Sequence, residues 1–214
     1  MSYHMSRSRV FGALGAAGLL ALPACSSGTH PPAAVTTSAP AASAGTTSPA
    51  APVTSVRIGR FTQEFATPLP ADQAQAKIIE GWREAQILWS KSLIAWRLVP
   101  GVTGYVTGVA RTHLLGAISY GKQNDAVPAG ADRMFMTSVT SVEPTAATIT
   151  TCDDGSRFAE VNPKTGTVNQ AFATPADHQY LYETWHMVPV GGHWAIGSFT
   201  LATLPAAAAR HCQP

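Results

Sequence analysis

The chain has 214 residues, of which 14 are Lys or Arg, 12 are Asp or Glu and 45% are hydrophobic. The near balance of charge, without a run of basic residues, argues against nucleic acid as a partner. The length suits one domain with a sizeable core after a non-globular start.

The chain begins with the layout of an export signal. Arg7 and Arg9 precede an apolar run from Val10 to Leu22, which is too short to cross a bilayer because a span needs ~20 residues. Met1 or Met5 can serve as the initiator, and either gives the same mature chain. Cleavage removes both arginines, so the 14 basic residues fall to 12 and equal the 12 acidic ones. The mature protein is therefore formally neutral.

The segment Leu22-Pro23-Ala24-Cys25 resembles the lipobox of bacterial lipoproteins, in which the Cys becomes the lipidated first residue. The alternative is an ordinary secretory signal that leaves Cys25 as a plain thiol. An exported protein seldom keeps an unpaired exposed thiol, and lipidation of Cys25 leaves Cys152 and Cys212 as a pair. We therefore expect residues 1–24 to be a signal peptide. Acyl chains such as palmitate on Cys25 would anchor the protein to the outer face of the cell membrane.

Residues 25–55 are predicted to be the lipidated Cys and a disordered linker. After the Cys, nearly every residue is Ala, Ser, Thr, Pro, Gly or Val, which cannot offset the entropy of folding. A flexible coil of this length spans ~30 Å. The linker is either an unmodified spacer or glycosylated. The candidate glycosylation sites are Thr36, Thr37, Thr46 and Thr47. The remainder, 56–214, is predicted to be one domain.

A long amphipathic helix is predicted ahead of Pro100-Gly101. Asp72 with Gln75 offers a capping box, and Arg57 to Pro70 before it fits either a lead-in strand or an ordered arm. The apolar side of the helix, at 3.6 residues per turn, consists of Ile78, Trp82, Ala85, Trp89, Ser92, Leu93 and Trp96. Three Trp on one side can line a pocket, although a packed core face is the usual explanation.

A weaker helical stripe follows, made of Val102, Val106, Val109, His113 and Ala117. It directs His113 toward the interior, where a core or cavity-lining histidine is the expected role rather than a catalytic one. A polar loop is predicted from Gly121 to Asp132.

The next part of the chain alternates β-branched and polar residues, which predicts strands over Met134–Val142, Ala146–Cys152 and Ser156–Val161. Asp154-Gly155 is a tight-turn signal. The pentapeptide at 162–166, Asn-Pro-Lys-Thr-Gly, resembles a sortase signal, but no apolar segment and basic tail follow it. We interpret it as a turn.

The last two predicted strands, His178–Val188 and His193–Thr203, flank Gly191-Gly192. A two-residue loop there places Trp185, Met187, Trp194 and Ile196 on a core face, and Tyr182, His186, Val188 and His193 on the other. The two histidines would stand ~13 Å apart, too far to share a metal. A loop lengthened by Pro189 would reverse the faces.

Cys152 and Cys212 are expected to form a disulfide outside the cell. The bond would close a loop of about sixty residues and stabilise the domain by about 4 kcal/mol in the chain-entropy model. A cysteine metal site is the rival, but the sequence has no Cys-x-x-Cys spacing. We predict no metal and no cofactor.

The order of features in this chain resembles that of secreted actinobacterial lipoproteins with a nuclear-transport-factor-like domain. The features are the lipobox, the tether, the Trp-bearing helix, the segments Thr-Thr-Cys-Asp-Asp-Gly-Ser and Gly-Gly-His-Trp-Ala-Ile, and the terminal Cys. The resemblance covers roughly Ala71 to Cys212. It implies an α+β cystatin-like cone, with N-terminal helices in the concave face of a curved, mostly antiparallel sheet. The residue pattern by itself predicts helices first and strands after them, which is the order typical of an α+β domain.

That fold carries isomerase-like and cyclase-like enzymes as well as modules without catalysis. Such enzymes place a base and a donor inside the cone, and the candidates here are His113, Tyr105, Tyr120 and Asp132. None forms a recognisable dyad, so we assign no catalytic residue. The expected function is a non-enzymatic module that binds a small apolar ligand or an envelope protein; an acid/base enzyme and a lipid carrier are the alternatives. The predicted pocket residues are Trp82, Trp89, Trp96, Tyr105 and His113.

Overall fold

The structure is a computed structural model that describes residues 53–169 and 180–202 together with Cys212. The predicted signal peptide, Cys25 and the four candidate glycosylation sites lie outside the described residues. The first described strand begins at Thr54, within the last residues of the predicted linker.

The described part contains three helices and seven strands. In chain order these are β1 (Thr54–Ile58), β2 (Phe61–Phe65), α1 (Gln73–Ala95), α2 (Val102–Tyr105), α3 (Gly108–Gln123), β3 (Val127–Glu143), β4 (Ala146–Asp154), β5 (Phe158–Val161), β6 (Tyr180–Val190) and β7 (His193–Ala202).

The strands form one curved, open sheet in the order β1-β2-β3-β4-β6-β7, with β5 paired to the first residues of β3. All pairings are antiparallel except that of β2 with β3. The helices α1 and α3 pack against the sheet, with α1 reaching both β3 and β7. The predicted α+β class is therefore confirmed. The segment left open before the helix, from Arg57 to Pro70, contributes to the β1–β2 hairpin.

Helix α1 begins where the sequence predicts. The Asp72 side chain accepts a hydrogen bond from the Gln75 backbone N–H at 2.8 Å, which satisfies one free donor of the first turn. The helix ends before Pro100, because Trp96 adopts a left-handed conformation with φ of 50°. Most of the predicted apolar side is in the main core, but Trp96 packs in a separate small cluster with residues of β3 and β5.

The prediction that Val109 belongs to the buried face of the second helix is wrong, because its side chain is 57% exposed. Val106 and Thr107 leave the helix, and the Thr107 N–H donates to the Ile196 carbonyl at 2.8 Å. This extended connection resets the helical phase, so the buried face of α3 is Ala110, Leu114, Ala117, Ile118 and Gly121.

The predicted loop from Gly121 to Asp132 is also wrong. Helix α3 continues to Gln123, and β3 begins at Val127. Glycine and proline in this segment are typical of loops, but Pro128 lies at the start of a long strand, where it pairs with Glu160 of the short β5.

The final hairpin follows the prediction closely. Gly191 and Gly192 form the two-residue loop, with φ of 55° and 88°, and Val190 pairs with His193. The predicted core face is confirmed: Trp185, Met187 and Ile196 are buried, and Trp194 packs against the core. A bulge between His186 and Met187, where Gly197 is the extra residue on β7, then sets Phe199 opposite Trp185.

The predicted disulfide between Cys152 and Cys212 is confirmed. Both cysteines are buried with Phe135 in a cluster distinct from the main core. Cys152 and Ile149 are an odd number of residues apart on β4, so their side chains point to opposite faces of the sheet. The bond thus ties the end of the chain to the face opposite the main core.

Candidate functional site

A cavity of about 170 Å³ lies between the helices and the sheet. Helix α1 contributes one wall, the end of α3 a second, and strands β2, β3, β5, β6 and β7 the remainder. Leu201, at the end of β7, lines the cavity and is 43% exposed, so this side of the cavity reaches the surface.

Aromatic rings form much of the cavity wall, namely Phe61, Trp89, Phe158, Trp185 and Phe199. Phe199 links two of them: its ring centroid is 4.7 Å from that of Trp185 and 5.7 Å from that of Trp89. These rings hold one another in fixed orientations, and the wall they form suits a flat or cyclic apolar group.

Three acidic side chains also line the cavity. Asp132 and Glu183 are 4% and 3% exposed, and Glu160 comes from β5. The Trp185 indole N–H donates to the Glu183 carboxylate at 3.1 Å, which joins the acidic and aromatic parts of the wall.

Tyr120 lies beside this acidic group. Its hydroxyl oxygen is buried, and burial together with the negative charge of Glu160 raises the pKa of Tyr120 to about 12. The phenol therefore keeps its proton at neutral pH and presents a hydroxyl group rather than a phenolate.

A third group on the wall is neutral and polar. Gln63 on β2 and Gln86 on α1 are 1% and 5% exposed, and Ser90 lies one turn after Gln86. The Ser90 hydroxyl donates to the Gln63 carbonyl oxygen at 3.4 Å, a long hydrogen bond.

The predicted pocket residues separate in the structure, and Trp89 is the one that lines the cavity. Trp82 is fully buried in the core against Phe65, and the Trp96 indole N–H donates to the Ala126 carbonyl at 3.0 Å. Their common stripe is longer than the cavity, so its ends contact other parts of the domain.

The other two candidates do not line the cavity. Tyr105 stacks on His193, with ring centroids 4.2 Å apart. His113 packs against Phe199 at 5.2 Å but does not line the cavity. Of the four acid/base candidates, Tyr120 and Asp132 are the pair that the structure brings into one cavity.

Sequence reasoning missed Gln86 and Glu183, although each left a signal. Gln86 lies four residues after Trp82 and three before Trp89, so it is a polar residue within an apolar stripe. Glu183 occupies a core position of β6, two residues from both Leu181 and Trp185. A polar side chain at a core position is the more informative exception to the burial pattern.

In residues 53–169, 180–202 and 212, no group of three or more His, Cys, Asp or Glu side chains has a metal-binding arrangement. Among the helices of those residues, none has both the length and the hydropathy of a membrane span.

The fold and the cavity together define the class of this protein: an α+β domain with an aromatic and acidic cavity under its helices. No protein-family model matches the chain, and no curated protein sequence matches it either.

Several solved structures are similar in fold. The intermembrane-space region of the chloroplast protein ARC6 is 12% identical, with a TM-score of 0.39 over 64% of this chain and 100% of its own. An NTF2-like protein with a cystatin-like fold from Novosphingobium aromaticivorans is 15% identical, with a TM-score of 0.38 over 67% and 98%. An uncharacterized protein with a cystatin-like fold from Caulobacter vibrioides is 15% identical, with a TM-score of 0.30 over 62% and 95%. Identities this low say nothing of a ligand or a reaction.

Proposed function

We propose that this chain is an extracytoplasmic lipoprotein, anchored through Cys25, whose domain binds a small molecule in the cavity without converting it. The cavity carries this proposal. It combines an aromatic wall with a few convergent polar groups, which is the usual composition of a small-molecule site. A site of this kind favours a small ligand over an envelope protein as the partner.

The size of the cavity limits the ligand. An apolar cavity of ~150 Å³ admits benzene in a well-studied case, so about 170 Å³ suits a molecule with one ring. A lipid carrier needs space for long acyl chains, and this volume does not provide it. The carrier hypothesis is therefore the weakest of the three.

Filling the cavity tests the proposal. Ala117 lines the cavity from α3 and is 8% exposed, so Ala117→Leu would occupy part of the space. Ser119→Leu adds a leucine to the exposed side of the same helix and is the matched control. Saturation-transfer NMR with one-ring compounds should show binding to the wild type and to Ser119→Leu but not to Ala117→Leu. Equal binding by all three proteins would contradict the proposal.

The anchor needs its own experiment. Intact-mass spectrometry of protein from the membrane fraction should show a chain that begins at Cys25 and carries acyl chains. Cys25→Ala should release the protein from the membrane. An unacylated chain that begins elsewhere would contradict the anchoring proposal while leaving the cavity untouched.

An acid/base enzyme is a second candidate, because Tyr120 and Asp132 line the same cavity. A carboxylate that takes a proton from carbon and a neutral phenol that donates to oxygen are the groups that enolisation requires. Deuterium exchange into the α-positions of cyclohexanone in D₂O distinguishes an enzyme from a binding protein. The exchange rate is measured with the wild type and with Asp132→Asn. Exchange that depends on Asp132 indicates catalysis, and no exchange above the solvent rate indicates binding alone.

A further inference from the structure

Gln86 is a polar residue of the cavity wall with an unsatisfied hydrogen-bond donor. It lies on the inner side of α1, is 5% exposed, and its amide Nε2 has no hydrogen-bond partner among the described residues. A buried N–H donor without an acceptor is unfavourable, and such groups in native proteins call for an explanation. The cavity on which Gln86 borders supplies one.

Gln63 reinforces the same wall. Its amide Nε2 lies 3.9 Å from the Met134 sulfur, a weak acceptor, and its carbonyl oxygen has the long contact with Ser90. The contact distances are at the outer limit of hydrogen bonding. Two buried side-chain amides, one on α1 and one on β2, therefore border the cavity with N–H groups that have weak or no acceptors among the described residues.

The charge of the wall restricts what can accept from these amides. Three acidic residues line the cavity, and no Lys, Arg or His is among the described residues that do so. The described part of the wall therefore offers an anionic ligand no cationic side chain with which to pair. An ammonium group has no acceptor to offer to Gln86. An uncharged oxygen meets both conditions.

We infer that the cavity binds an uncharged, one-ring compound whose carbonyl or ether oxygen accepts a hydrogen bond from the Gln86 amide, while the aromatic wall packs on the ring. This inference rests on the proposed function, and it names the ligand class of the same site.

A series of ligands with one shape and different polar groups tests it. Cyclohexanone carries the acceptor, and methylenecyclohexane replaces its oxygen with CH₂ at nearly the same shape. Cyclohexylamine and cyclohexanecarboxylate supply the cation and the anion. Saturation-transfer NMR titration against the mature protein gives the relative dissociation constants. We expect cyclohexanone to bind about tenfold tighter than methylenecyclohexane, the value of one buried hydrogen bond.

Substitutions then locate the donor. Gln86→Leu and Gln86→Met keep similar volume without an N–H, and either should reduce the preference for cyclohexanone to less than threefold. Gln73→Leu, at the exposed start of α1, is the matched control and should keep it. Thermal unfolding verifies that each variant folds, and both Gln86 variants should be at least as stable as the wild type because a buried, unpartnered amide is removed.

Each outcome is decisive for one of the two proposals. Equal binding of cyclohexanone and methylenecyclohexane, tighter binding of the amine or carboxylate, or a preference retained without Gln86 overturns the inference but leaves a binding cavity. Binding of none of the four compounds overturns the proposed function as well.

Discussion

At Gly81, helix α1 packs closely against β7. A Cβ added there would lie 2.5 Å from the Trp194 carbonyl oxygen and 3.0 Å from the Trp194 Cβ. Gly116 in α3 is a matched position, because a Cβ added there meets nothing within 4 Å. The same change, Gly→Ala, should therefore stabilise the protein at Gly116 and fail to do so at Gly81.

The expected magnitudes follow from two terms. Replacement of Gly by Ala inside a helix stabilises it by ~1 kcal/mol. At Gly116 this term acts alone, whereas at Gly81 the helix must move away from β7, and overpacking of this kind costs ~1–3 kcal/mol. Gly116→Ala should thus raise the free energy of unfolding by ~1 kcal/mol, and Gly81→Ala should fall ~1–3 kcal/mol below it.

Thermal and urea unfolding of the two variants measure the difference. For a domain of this size, 1 kcal/mol corresponds to about 2–4 °C in Tm. Gly81→Ala should also weaken ligand binding, because Gln86 and Trp89 are on the same helix as Gly81 and would move with it. If both variants were stabilised equally, the close contact of α1 with β7, and with it the described cavity wall, would be refuted.

Three further predictions concern other parts of the domain. Asp72→Ala removes the α1 cap and should lower the free energy of unfolding by ~1 kcal/mol in urea titrations. The Cys152→Ala/Cys212→Ala double variant opens a loop of 60 residues and should lose about 4 kcal/mol, measured against wild type under non-reducing conditions. The pKa of Tyr120 rises from 10.0 in the unfolded chain to about 12 in the folded protein. The free energy of unfolding should therefore be constant below pH 10 and fall between pH 10 and 12, and it should fall less in Tyr120→Phe. Ultraviolet titration of the folded protein should show one tyrosine that is still protonated in this range.

Features encoded by neighbouring residues were predictable. Asp72 and Gln75 mark the start of α1 within one turn, and Gly191-Gly192 sets both the loop and the strand register because consecutive glycines adopt positive φ readily. The disulfide followed from the number of cysteines and the expected compartment. None of these needs knowledge of distant contacts.

Features set by distant contacts were not predictable in the same way. The break after α2 depends on a hydrogen bond from Thr107 to Ile196, which is 89 residues further along the chain. Strand β5 pairs with the start of β3 rather than with its sequence neighbour β4. A periodic pattern carries no information about a partner so far away, and the errors at Val109 and in the loop from Gly121 have this origin.

The location of the cavity has a related cause in the length of α1. Trp82 and Trp89 in α1 and Trp96 directly after it are seven residues apart, which is ~10 Å along a helix axis, so one stripe spans more than the cavity. Trp82 meets Phe65 of β2, Trp89 meets Phe199 of β7, and Trp96 reaches Ala126. An apolar stripe alone cannot say which of its turns borders an empty space. Gln86 points to the turn that does, because it borders the cavity and a buried amide without a partner is costly unless the wall opens onto a group that can accept from it.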